Sequence, residues 1–267
     1  KSIRPFFSRR IGLGVPIQAG IRLSGNIDEN WRIGLMDIQT RSDEILNTAA
    51  ENFGVVSLQR KVFDRSNVSL IFINKQAVKL NENEINQSQY NRNIGLEYNY
   101  FSADNLWNSK LMFLKSLSPI KKKQGEVFAS HIEYQSTRWK WKLQQEYITG
   151  NYSAEVGFIP RNNYIKIQAT VGHLTYTKKN TSLLSHGPSI ERTYYFDTDF
   201  NKKDQAEQFD YLFNFKNRSR FSIGIRRQYI ELLSDFDPLR TNISSLFAGS
   251  THQWNSYKIK YNSKPQN

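Results

Sequence analysis

Cysteine is absent from all 267 residues, which removes disulfides, thiolate metal sites and cysteine nucleophiles together and says little about compartment. No stretch approaches the roughly 18 uninterrupted apolar residues that a membrane-spanning helix needs. The opening KSIRPFFSRR has neither an initiating Met nor the apolar centre of a secretory signal, so a processed or trimmed start is expected. The four histidines are scattered, none two or four positions from another, which argues against zinc, and no Ser-His-acid constellation is visible around Ser130, His131 and Glu133. No cofactor is expected. Fixed-period repeats, low-complexity tracts and composition breaks are also lacking, so residues 1–267 read as one continuous β domain.

Aromatic residues, in contrast, are plentiful. Hydrophobic residues are only 38% of the chain, yet Tyr, Phe and Trp reach 13%. Few aliphatics with many aromatics is unusual for a buried core and usual for a transmembrane barrel, where every second residue meets lipid and aromatic girdles mark the interfaces. The net charge of +13 is spread over alternating faces and loops rather than gathered on one element, so no nucleic-acid partner is expected. The one short basic cluster, Lys121, Lys122 and Lys123, lies beside Pro119 and Gly125 and suits a loop near anionic headgroups.

The chain sorts itself into two faces most clearly from Trp139 onward. Trp139, Trp141, Leu143 and Tyr147 alternate with Lys140, Lys142, Gln144 and Glu146, a period that only a strand has. After a polar interruption at 150–163 the pattern resumes, with Ile165, Ile167, Ala169 and Val171 against Lys166, Gln168 and Thr170. Ile94, Leu96, Tyr98 and Tyr100 oppose Asn93, Gly95, Glu97 and Asn99. Residues 53–63 and 67–75 form a hairpin through Asp64, Arg65 and Ser66. Trp31–Thr40 has apolar residues on both faces and is expected to be covered on both; 44–50 is expected to hold a helical turn, and 177–189 offers no clear strand. About thirteen strands result, each near the length that crosses a bilayer at barrel tilt. Connections tend to alternate between short (64–66, 103–105, 136–138, 216–219) and long (41–52, 78–89, 150–162, 233–250), as in outer-membrane barrels.

The expected fold is therefore all-β, an antiparallel up-and-down transmembrane β-barrel seen in part, since closure generally asks for an even strand number. A soluble sandwich would also alternate, but its inward faces are usually packed Val, Ile and Leu.

PFFSRRIG at 5–12, LSGN at 23–26, WRIGLMDIQT at 31–40 and VGFIPRNNY at 156–164 together resemble an uncharacterised outer-membrane β-barrel family of Bacteroidota. Its members usually have a family 9 carbohydrate-binding-like domain ahead of the barrel. The most specific pieces are SRRIG, with Ser8 and Gly12, and GFIPR, with Gly157, Phe158, Pro160 and Arg161. The resemblance spans most of the chain and implies a bacterial outer-membrane location and barrel architecture, with no catalytic residues to bring across. Family members look longer at both ends, so a sugar-binding-like domain and further strands are expected to be missing from this segment.

Candidate chemistry is sparse. Asp197 and Asp199 share a strand face by spacing, about 7 Å apart, and are weak candidates for glycoside hydrolysis. Asp235 and Asp237, in SDFDPLRTN, are weak candidates for a Ca²⁺ loop. Arg9, Arg10 and Arg161, inside the two motifs, suit either recognition of carboxylate, phosphate or sulfate or, with more weight, an internal ion-pair network or plug held to the wall. Lys140, Lys142, Lys166 and Arg226, with Lys258 and Lys260, would bias a water-filled interior towards anions. The leading expectation is a non-enzymatic outer-membrane barrel, a channel or platform handling glycans or anionic solutes, with the lipid bilayer as partner. An outer-membrane-associated glycan hydrolase and a soluble all-β binding module are the alternatives. The 150–163 segment is expected to fold inward as a constriction or plug contact.

Overall fold

The computed structural model describes residues 3–43, 45, 48–78, 89–119, 124–178, 182–240 and 245–263; Lys121, Lys122 and Lys123 lie outside them. A 3-10 turn, η1 (Ser8–Arg10), precedes β1 (Ile17–Asn26), β2 (Trp31–Thr40), β3 (Glu51–Val62), β4 (Ser66–Ala77), β5 (Tyr90–Phe101), β6 (Trp107–Leu117) and β7 (Gly125–Gln135). Then follow β8 (Trp139–Ile148), β9 (Tyr164–His173), the two-residue β10 (Thr175–Tyr176), β11 (Leu183–Phe196), β12 (Lys202–Phe215), β13 (Arg220–Glu231) and β14 (Thr251–Asn262). Neighbours in sequence pair antiparallel in an up-and-down sheet of 14 strands, with β10 off the main path on β11 and with β1 and β14 as its edges. The chain packs as two compact units, Lys1–Ser130 with Glu146–Tyr164, and His131–Gln145 with Ile165–Asn267.

Local chemistry sets the reversals. Asp28 Oδ1 accepts the amides of Asn30 and Trp31 at 2.7 Å, closing the β1–β2 turn. Asp104 does the same for Leu106 between β5 and β6, and Asn217 for Ser219 between β12 and β13. Between β2 and β3 Asp43 and Thr48 exchange two backbone hydrogen bonds of 2.9 Å; Glu44, Leu46 and Asn47, in the stretch where a helical turn was expected, lie outside the described residues.

In both units the faces are inverted relative to a soluble sheet. Leu96 is 51% exposed, Trp141 48% and Ile223 47%, as are their neighbours Phe72, Leu111, Phe113, Ile190 and Phe209 to similar degrees. On the opposite faces Asn91, Asn93, Glu51 and Lys166 are all buried, at 0%, 2%, 8% and 9% exposure. The alternation seen in the sequence is real, but in unit 1 it is the polar side that is covered; in unit 2 Lys166 is buried while Lys140, Arg226, Lys258 and Lys260 stay exposed.

Part of unit 1's polar side is an apolar cluster of Ile11, Phe53, Val55, Ile73 and Val156, with Phe6, Met36, Ile38 and Ile71 packed on it. Ile11 comes from the segment before β1 and Val156 from the β8–β9 connection. Both lie over β2, β3 and β4, which accounts for the second apolar face of β2.

The region 177–189 does contain strand. β11 begins at Leu183, six residues before the region ends, and Pro188 pairs with Tyr211 inside it. Proline and Gly187 argue against a strand interior, and they masked its first half. Its far end also differs from expectation: the strand stops at Phe196, and residues 197–201 turn.

Candidate functional site

In unit 1 the β8–β9 connection, 149–163, folds back onto the polar sides of β3–β6. Asn91 and Asn93 each donate through Nδ2 to the Ser153 carbonyl at 3.2 Å. Asn91 Oδ1 accepts the Glu155 amide at 3.2 Å, and Ser116 Oγ accepts the Ser153 amide at 3.1 Å. Lys75 Nζ stands 2.6 Å from Glu51 and 2.9 Å from Glu155, so one ammonium on β4 joins a wall carboxylate to a carboxylate of the folded-in segment. At the segment's exit Tyr164 donates to Glu146 at 2.6 Å.

The two sequence motifs meet here. The Phe7 amide donates to the Val156 carbonyl at 2.7 Å, and Arg4 and Phe158 exchange bonds of 2.9 and 2.8 Å. A Cβ on Gly157 would lie 2.5 Å from both the Arg4 and the Pro5 carbonyl oxygens, so the close approach requires glycine. Gly12 sits at φ +74°, the left-handed region, where the chain turns from η1 towards β1. The motif glycines thus have a structural account, docking the leading segment on the connection. Gly157→Val is expected to cost about 1–3 kcal/mol through overpacking, measured by denaturant unfolding, and to hasten protease cleavage after Arg161.

Arg10 and Arg161, with Tyr152, Ser153, Ala154, Gly157 and Asn162, line a cavity of about 380 Å³. Tyr152 is fully buried, its hydroxyl meets no hydrogen-bond partner among the described residues, and burial pushes that hydroxyl's pKa up, so it stays protonated. Arg9 and Ser8 are exposed on η1. Phe158 makes the backbone bridge to Arg4, and Pro160 follows it in the connection.

In unit 2 a groove of about 310 Å³ lies on the polar side of β9 and β11–β14. Lys166 and Arg226 both line it, with Gln168, Thr193, Tyr195, Asp204, Ala206, Gln228 and Trp254. Lys166 Nζ stands 5.9 Å from the Tyr195 ring centroid. Lys140, on β8, pairs with Glu133 at 3.4 Å, and Lys142 shares its face. The structure therefore brings Lys166 together with Arg226, and Arg10 with Arg161.

Asp197 and Asp199 are not a pair on a strand face, because β11 ends before them. Asp197 Oδ1 accepts the amides of Asp199 and Asn201 at 3.0 and 2.9 Å, and its carboxylate lies 3.7 Å from Lys203 Nζ. The alternation that seemed to place both carboxylates on one face belongs to a turn that one of them builds. Asp235 accepts the Ala248 amide at 2.8 Å, and Asp237 accepts those of Leu239 and Arg240 at 2.9 and 3.0 Å. These two carboxylates hold loop backbone.

The Asn201 amide, with further bonds from the Asn201 side chain and the Asp199 amide, holds the Asp197 carboxyl below its ordinary pKa. A depressed folded value means the cap strengthens the turn above the ordinary carboxylate range and is lost as pH falls through the folded value. An NMR titration is expected to show the Asn201 amide shifting only below that range, and Asp197→Asn abolishing the transition.

Lys75, Asn91, Asn93, Tyr152 and Glu155 were not anticipated. In sequence they look like ordinary polar alternates or loop residues; the doublet Asn91, Asn93 on one face of β5 was the only signal. No family model, curated protein or solved structure matches the chain.

Proposed function

We propose that this chain is the wall of a transmembrane β-barrel of the bacterial outer membrane, a channel or platform whose polar side handles glycans or anionic solutes. The observation that supports this most is the inversion of faces: Trp, Phe, Leu and Ile stand exposed along strand after strand while Asn91, Asn93, Glu51 and Lys166 are covered. In water such a surface would invite association far beyond the apolar patches of soluble proteins. In a bilayer it is the outer surface a barrel needs. The strand lengths, 10 to 14 residues apart from β10, fit a tilted crossing. The resemblance of SRRIG and GFIPR to an outer-membrane family points the same way. The docked 149–163 connection reads as a constriction against the wall, and Lys166 and Arg226 give the polar side its anion bias.

The experiment is reconstitution of the chain into vesicles containing brominated lipid. Tryptophan fluorescence from Trp107, Trp139 and Trp141, all exposed, is expected to be quenched by more than half. A chain that stays monomeric in buffer without detergent and shows no quenching would overturn the membrane reading.

A further inference from the structure

Register places a polar row across the groove of unit 2. Gln168 faces Thr193, Thr193 faces Ala206, Ala206 faces Gln228, and Gln228 faces Trp254. At about 4.8 Å per strand interval the row is close to 19 Å long. Ala206 is the small residue at its centre, so the floor dips there between Thr193 and Gln228. Lys166, Tyr195 and Asp204 border the dip on one side. Arg226 borders it on the other, two residues before Gln228.

We propose that this groove binds a short uronate-bearing oligosaccharide. Four features select that class. The row of amide and hydroxyl side chains offers both donors and acceptors, as sugar hydroxyls require. Trp254 stands at the end of the row, 43% exposed, and with Ile230, which faces Asp204 in the groove, it offers an apolar surface for the C–H face of a pyranose. The cations are single and at opposite corners, one on β9 and one on β13; phosphate would call for clustered donors or a helix N-terminus. Register sets their backbones about 20 Å apart, so the two anchors fit a chain that carries carboxylates on its end units. Asp204 adds an acceptor for hydroxyls and leaves the three charged groups at a net of one positive. The groove is about the volume of a small ligand site. This rests on the polar side meeting water, as in the proposed function, and on nothing else in that reading.

The test is titration of the full chain in detergent micelles with trigalacturonate, maltotriose and monomeric galacturonate, by calorimetry and tryptophan fluorescence. Trigalacturonate is expected to bind, maltotriose not to, and the monomer to bind at least tenfold more weakly. Arg226→Gln and Lys166→Gln are each expected to weaken trigalacturonate binding roughly tenfold or more. Ala206→Leu, which fills the dip without touching charge, is expected to abolish it. Arg226 is exposed, so its variant keeps the test independent of folding. No binding of trigalacturonate, equal binding of maltotriose or of the monomer, or an unaffected Ala206→Leu variant would overturn the proposal. Quenching by brominated lipid is read on the same protein. Quenching without sugar binding removes the groove assignment alone, and sugar binding without quenching removes the membrane reading alone.

Discussion

Lys75→Met should destabilise the chain by about 3 kcal/mol, the lower end for a broken buried ion pair because Glu155 keeps some solvent. The variant would leave Glu51 and Glu155, at 2.6 and 2.9 Å from the lost ammonium, facing each other across the polar side without a cation. Most of that cost is the stranded carboxylates and not the net worth of the pairs, so the triple variant Lys75→Met, Glu51→Gln, Glu155→Gln should regain the larger part. Denaturant unfolding followed by tryptophan fluorescence measures both. The 149–163 connection is where the single variant should yield first, seen as early protease cleavage after Arg161. A Lys75→Met midpoint equal to that of the parent would mean that the asparagine clamp on Ser153 holds the connection by itself.

Leu96→Arg is the second large expectation, and it separates the environments that the exposed side of the sheet could face. Leu96 is half exposed, in register with Leu70 and Phe113 on its two neighbours. In water an arginine at such a position changes stability by only about 0.5 kcal/mol. Against lipid near the bilayer midplane it costs about 2–4 kcal/mol. The paired control is Gln168→Arg on the polar side, expected to fold and insert normally. Folding yield into vesicles, compared for the two variants, is the measurement; equal yields would mean that Leu96 does not face hydrocarbon.

Most strands were legible because they have one strongly apolar side, and a period of two cannot be mistaken when Trp139, Trp141 and Leu143 interleave with Lys140 and Lys142. GFIPR singled out the 150–163 segment, which folds back onto the polar sides of β3–β6, yet its attachments were not anticipated. Asn91, Asn93 and Lys75 follow the same alternation as any water-facing residue, and nothing local marks them as partners of residues some sixty to eighty positions later. Asp197 misled for the opposite reason. The alternation runs through Phe196 without a break, while the hydrogen bonds that end the strand are made by the aspartate's own side chain. In β11, Gly187 and Pro188 hid a strand whose pairing with β12 tolerates them. Register with neighbours, and not propensity, decided that stretch.

The bond between Arg4 and Phe158 also constrains time. Arg4 and Phe7, ahead of β1, find their backbone partners on residues that follow β8, so all eight strands β1–β8 must be made before these contacts can form. Closing so long a loop comes late and is slow. Until it closes, the apolar cluster around Phe53 and Ile73 lacks the Ile11 and Val156 that cover it. The chain therefore spends its early life with its stickiest polar-side surface open, a state that a holding chaperone would be suited to protect.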